Sequence, residues 1–263
     1  MTDETPIDRA HAAMTAAPGD DAARLRFYER VAEAELVLLL AEEAQGERVE
    51  PALFDVEGGR VVLAFDREDR LTGFVGDAAP YAALSGRALT GMLAAEGMGF
   101  GLNLEVAPSS ILIPADAVAW LAETLGRRPA EVAERPEDIA APDGVPEALL
   151  EGLDRKLGLA AGLAPMAYLA SVRYRGGGRG HLLAFVDAAD GAEPALAQAV
   201  GEALTFSGLE AGALDVGFFA ASDPAAAALA RHGLKIELPE PEAAQVLAPG
   251  APGMDPETPP KLR

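Results

Sequence analysis

The side chains able to do chemistry are few, and their spacing argues against most catalytic classes. There are no cysteines, which removes thiolate nucleophiles, thiolate metal sites and disulfides together. The three histidines, His11, His181 and His232, stand on separate expected elements. They lack the close pairing or HExxH arrangement that lets two imidazoles meet one metal, so each reads as a surface or structural residue and no metal site is expected. Ser109 and Ser110 fall in a turn whose sequence neighbourhood supplies no base, and neither GxSxG nor GxxxxGK[ST] occurs. Gly97, Gly99 and Gly101 follow a helical pattern and open a strand. That is the reverse of a dinucleotide fingerprint, so they are expected to end one element and begin the next. Asp66, Glu68 and Asp69, interrupted by Arg67 and Arg70, and the pair Asp187 and Asp190 lack the alternating ligands of a calcium loop and read as solvated turns after strands. No catalytic residue, metal ligand or cofactor is assigned, and a non-catalytic protein is expected.

Charge says more. With 42 acids against 21 bases and a formal net charge of −21, the chain as a whole repels phosphate backbones and anionic lipid, so neither nucleic acid nor a membrane surface is an expected partner. Within this acidic chain, residues 155–186 hold no acid, while Arg155, Lys156, Arg173, Arg175 and Arg179 are all basic. Alternation puts Arg173 and Arg175 on one strand face, with Arg179 across a glycine turn. Two readings stay open. The arginines keep a hairpin edge soluble, or they form a docking edge for an acidic partner or for the chain's own acidic regions. Arg173, Arg175 and Arg179 are therefore the candidate contacts for a protein partner, and the oligomeric state is left open. The N-terminus, MTDETPIDRA, has no signal-peptide pattern. The longest apolar runs are of the LVLLLA kind, far short of the roughly 20 residues that span a bilayer, so a cytoplasmic protein is expected.

The elements that would position these residues follow from periodicity. At 263 residues two modest domains are expected. A short helix over 5–14 stops at Pro18 and Gly19. A second begins at Asp20 or Asp21 as N-cap, with Leu25, Tyr28, Val31 and Ala32 inward and Arg24, Arg26, Glu29, Arg30 and Glu33 toward water. The run 36–40 reads as a strand buried on both faces. Strands 52–56 and 61–65 form a hairpin across Glu57-Gly58-Gly59-Arg60. A charged turn over 66–70 is followed by a helix over 81–95, a strand over 100–106, a turn at 107–110, a return strand over 111–113 and a helix begun by Pro114. Residues 126–146 are rich in proline and charge and read as a linker.

Beyond the linker a helix is expected over 146–159, a hairpin of 166–174 with 181–186, a helix opened by Pro194, a strand over 214–219, a short helix from Pro224, and a strand over 234–238. The fold class is α/β (α+β): two tandem mixed-sheet layers with packing helices. The expected divisions are a helical arm at 1–19, an α/β domain at 20–126, a linker at 127–145, a second α/β domain at 146–238 and a disordered proline-rich tail at 239–263. Both halves share the order helix, strand, strand, helix, strand, helix, and Leu63-Ala64-Phe65 is echoed by Leu183-Ala184-Phe185.

Four segments, RLRFYERVAEAELVLLL, VVLAFDRED, YAALSGRALTGML and GLNLEVAPSSILIP, together resemble the N-terminal domain of SseB-like proteins, named for enhanced serine sensitivity. GHLLAFVDAADG and ALDVGFFAASDP resemble the C-terminal domain found in many of them. The resemblance covers roughly residues 20–238. It implies a bacterial, cytoplasmic α/β protein linked by family name to serine tolerance, with no catalytic residues to carry over. The same name is attached to a type III secretion translocon component. That role is not transferred, because the sequence shows neither a spanning helix nor sustained heptads. The expected function is a non-catalytic interaction or regulatory protein. The alternatives are a small-molecule, amino-acid sensing module and an enzyme whose residues converge only in three dimensions.

Overall fold

The computed structural model describes residues 4–43, 49–57, 59–127, 136–175, 178–209 and 214–241. Most of the expected tail, part of the expected linker, and the centre of the glycine turn after Arg175 lie outside the described residues.

The first half runs α1 (Pro6–Ala16), α2 (Asp21–Glu33), β1 (Glu35–Leu39), β2 (Phe54–Val56), β3 (Gly59–Phe65), α3 (Glu68–Val75), β4 (Tyr81–Ser85), α4 (Gly86–Glu96), β5 (Gly99–Leu102), β6 (Ile111–Ile113) and α5 (Ala115–Gly126). Its mixed sheet has the order β4-β1-β3-β5-β6, with β2 paired to β3. β1 runs antiparallel to β3, and β3 runs parallel to β5. Leu36, Leu38 and Leu40 face a core shared with Phe27, Val31, Leu89 and Phe100. Val37 and Leu39 face the opposite side, against Leu63, Phe65 and Leu71 of α3. Burial on both faces is why β1 reads as an unbroken apolar run. The expected caps form: Asp20 accepts from the Ala22 N–H at the start of α2.

The second half runs β7 (Pro136–Ala140), α6 (Glu147–Gly158), β8 (Met166–Tyr174), β9 (Arg179–Val186), α7 (Glu193–Phe206), β10 (Asp215–Phe219), α8 (Pro224–His232) and β11 (Leu234–Glu237). Its sheet has the order β10-β9-β8-β11, with β7 paired to β8. α6 and α7 cover one face through Leu153, Leu157, Leu196 and Val200, and α8 covers the other through Ala226 and Leu229. Again an antiparallel pair, β8 with β9, is followed by a parallel pair, β9 with β10. Leu63-Ala64-Phe65 and Leu183-Ala184-Phe185 occupy matching places, each at the carboxyl end of the middle strand. The chain is thus α+β with two mixed sheets, as the periodicity predicts.

Three expectations are corrected. Residues 81–95 are not one helix, because β4 takes 81–85 as an edge strand on β1. The break comes at Ser85, which caps α4, and at Gly86, where an added Cβ would stand 1.8 Å from the Val31 carbonyl oxygen. The strand expected over 100–106 ends at Leu102, because Asn103 turns into the left-handed region at φ 51°. Part of the expected linker, 136–140, is an edge strand on β8.

The helices of the two halves face one another. Ala32, Leu121, Leu125 and Phe206 form a shared apolar cluster, with Leu25, Tyr28 and the single tryptophan, Trp120, at its border. Among the described residues, no helix is long and apolar enough to cross a membrane.

Candidate functional site

The carboxyl ends of β3 and β5 lie side by side, the position at which open α/β sheets take ligands because the diverging connections leave a crevice there. Asp66 follows β3 and Asn103 follows β5. The Asp66 N–H donates to Asn103 Oδ1 at 3.1 Å, and Asn103 Nδ2 donates to Ser109 Oγ at 2.9 Å. Arg70, one turn along from Asp66, donates to both Asp66 oxygens at 2.8 and 3.1 Å. The remaining place in this crevice is filled from far away in the chain. Asp8, near the start of α1, accepts from Arg70 Nη1 at 3.1 Å, from Arg70 Nη2, and from Ser109 Oγ at 2.5 Å. Thr5 completes it, donating its N–H to Asp8 at 3.0 Å and its hydroxyl to Asp66 at 2.7 Å.

Every polar group in this cluster therefore has a partner. Asp8 is 2% exposed and Arg70 5%, so solvent offers no competing bonds. Burial alone pushes the Asp8 carboxyl up. The hydrogen bonds from Arg70, Ser109 and the Thr5 N–H, together with the Arg70 charge, outweigh that and hold it well below the usual carboxylate range. Burial likewise disfavours the charged guanidinium of Arg70, and Asp8 and Asp66 more than offset it, raising its pKa. The chemical consequence concerns Ser109. Its hydroxyl donates to the Asp8 carboxylate, which Arg70 and the Thr5 N–H already stabilise in its charged form and so make a weaker base than a free carboxylate.

Here the charged residues at 66–70 depart from their reading as a solvated turn. The side chains of Asp66 and Arg70 are buried, and α3 begins between them. Asn103, whose place in the sequence leaves it either facing solvent or bonding a neighbouring loop, does the second, linking the turn after β3 to the turn that carries Ser109. Its polar side chain within an apolar run was the one local signal; the partner Asp8, 62 positions from Arg70, leaves no trace in spacing.

A second buried cluster joins the two halves. Lys156 Nζ lies 2.9 Å from Glu202 Oε2, 2.9 Å from Glu33 Oε1 and 3.8 Å from Glu29 Oε1, and 5.4 Å from the centre of the Phe206 ring. Arg155 meets Glu29 at 2.7 Å, and Arg87 holds both Glu202 oxygens at 2.9 Å. Gln198 bridges Glu202 to the Leu125 carbonyl. Glu29, expected to face water, is 0% exposed. Arg155 and Lys156, which open the acid-free run, are thus paired with Glu29 and Glu33 across the domain boundary.

Residues 10–120 match the family model described as the SseB protein N-terminal domain. The chain carries an SseB-like domain. No curated protein and no solved structure matches it. Asp66, Arg70, Asn103 and Ser109 all belong to the SseB-like match, whereas Thr5 and Asp8 precede it.

The other candidates are dispersed. Arg173 pairs with Asp138 at 3.1 Å, and Arg175 approaches Glu137 at 3.8 Å, both acids lying on or beside β7. Arg179 opens β9 opposite Arg173, and Arg175 stands one residue beyond β8 instead of sharing its face. All three side chains lie at the surface of the β8–β9 hairpin. His11 packs edge-on to Phe27, His181 Nε2 lies 2.8 Å from the Asp143 carbonyl oxygen, and His232 ends α8. Among the described residues, no group of His, Asp and Glu is placed to hold a metal. Asp187 follows β9 as Asp66 follows β3, at φ 52°, and accepts from the Ala221 N–H at 2.8 Å. Beside it is an open cleft of about 540 Å³ bordered by Met166, Lys235 and Glu237.

Proposed function

We propose that this SseB-like chain is a non-catalytic interaction or regulatory protein, bacterial and cytoplasmic, with a role tied to serine tolerance. The observation that carries this reading is the use made of its reactive side chains. At the crevice where an α/β sheet would hold a substrate, the serine, arginine, asparagine and both carboxylates are consumed in bonds to one another, and the carboxylate that accepts the serine hydroxyl is held strongly acidic. On the same reading the second half is the C-terminal domain of SseB-like proteins, set against the first through the Lys156 cluster. The β8–β9 arginines are its contact for an acidic protein segment, with Glu137 and Asp138 as the intramolecular occupants such a segment displaces. The test is exposure of the purified chain to a metabolite extract, followed by mass spectrometry. Expected is no consumption of any component that Ser109→Ala abolishes. Turnover lost in Ser109→Ala or Arg70→Met would overturn the reading. A second reading, a small-molecule sensing module, is favoured by one feature: the crevice already holds a carboxylate.

A further inference from the structure

The crevice beyond β3 and β5 holds its carboxylate as a binding protein holds a ligand. Arg70 offers a guanidinium fork to both Asp8 oxygens, the geometry that recognises carboxylates specifically, and the Ser109 hydroxyl adds a third donor. Beside it, Asp66 accepts a hydroxyl hydrogen from Thr5. The recognised pattern is therefore a carboxylate with a hydrogen-bond donor close by. All of the recognising residues lie within the SseB-like match at 10–120, and both residues that satisfy them lie outside it.

The helix that delivers Asp8 packs on α2 and the core through one side only, with Ile7 in the core, Ala10 and Met14 half-buried against it and His11 edge-on to Phe27. Of α1, only Ile7 and Asp8 are buried, while Arg9, Ala12, Ala13, Thr15 and Ala16 are exposed. It joins α2 through an exposed stretch that includes Pro18 and Gly19. Its place in the crevice also puts two carboxylates, Asp8 and Asp66, on one guanidinium. Removal of Asp8 leaves Arg70 paired with Asp66 and vacates the place that Arg70 Nη1, Arg70 Nη2 and the Ser109 hydroxyl all donate to.

We propose that this crevice is a binding site for a small carboxylate bearing an adjacent donor, a hydroxy- or amino-carboxylate, and that α1 closes it with Asp8 as an internal ligand that the free one displaces. Binding then releases α1, so occupancy is reported as exposure of the N-terminal helix. The site goes beyond the non-catalytic reading. Turnover would sink that reading and leave the site standing, whereas failure to bind here would leave that reading intact.

The test uses the full chain and trypsin cleavage after Arg9, followed by mass of the released N-terminus. Lactate and alanine are the probes at about 10 mM, with lactamide and matched chloride as controls. Either probe is expected to speed cleavage about threefold or more, with neither control doing so. Asp8→Asn raises the competent fraction and is expected to lower the probe concentration needed for its thermal shift by about tenfold, and adding Arg70→Met removes the response. A synthetic peptide of residues 1–16 serves as a further arm. A response to that peptide alone overturns the small-molecule assignment in favour of helix exchange between copies. No change in cleavage of the native chain, or equal responses to lactate and lactamide, overturns the proposal even where a variant fails to fold.

Discussion

Replacing Lys156 by Met keeps the length and apolar stem of the side chain and deletes only the ammonium. The ammonium holds Glu202 and Glu33 at 2.9 Å each from a position 5% exposed. Each carboxylate keeps an arginine, since Glu202 retains Arg87 and Glu33 retains Arg30, so neither charge is left bare. Of these two contacts the one with Glu202 is a hydrogen bond between charged groups, worth about 1.5–3 kcal/mol, and the one with Glu33 is an ion pair alone. With partial compensation the loss comes to about 3 kcal/mol, the lower end of the cost of breaking a buried pair. The assay is urea unfolding read by Trp120, which borders the apolar cluster between the halves. With a slope of about 2 kcal/mol per molar, the midpoint falls by about 1.5 M. Lys235→Met, at the exposed pair with Glu237, is the control and leaves the midpoint unchanged. A shift in Lys156→Met no larger than in that control would refute the idea that this cluster joins the domains.

Two further outcomes follow from the geometry. Gly86→Ala drives a Cβ to 1.8 Å from the Val31 carbonyl oxygen. Because the clash is with backbone it costs about 3 kcal/mol, or about 6–12 °C in Tm for a chain of this size, and an unchanged melting curve would show that α4 can slide off α2. Asp8→Asn tests the linkage. The folded carboxyl sits well below its ordinary value of 3.8, so its contribution is fully present above that value and drains away as pH falls toward the folded pKa. The Tm gap between native and Asp8→Asn chains is therefore flat down to about pH 5 and narrows in stronger acid; a gap that widens on acidification contradicts the ion pair.

Features that depend on neighbours in the chain were legible before any fold was considered. The doubly buried run of β1 was legible because burial on both faces leaves no polar alternation, and β3 and β9 were legible as strands of hairpins. The start of α2 was legible because Asp20 meets an amide two residues away. The resemblance to the N-terminal domain of SseB-like proteins was carried by those same strands and turns, and that part of it agrees with the match at 10–120. Tertiary structure decided everything whose partner is remote. Residues 81–85 fit a helical stripe until β1 offers an edge to pair with, and Glu29 fits a solvated helix face until Arg155, 126 positions on, arrives beside it. The crevice is the sharpest instance. Arg70 and Asp66 look like a charged turn in isolation, and only the return of α1 over the sheet turns them into a closed carboxylate site. Periodicity and capping act over a few residues; charge pairing across a core acts over whatever distance the fold happens to close.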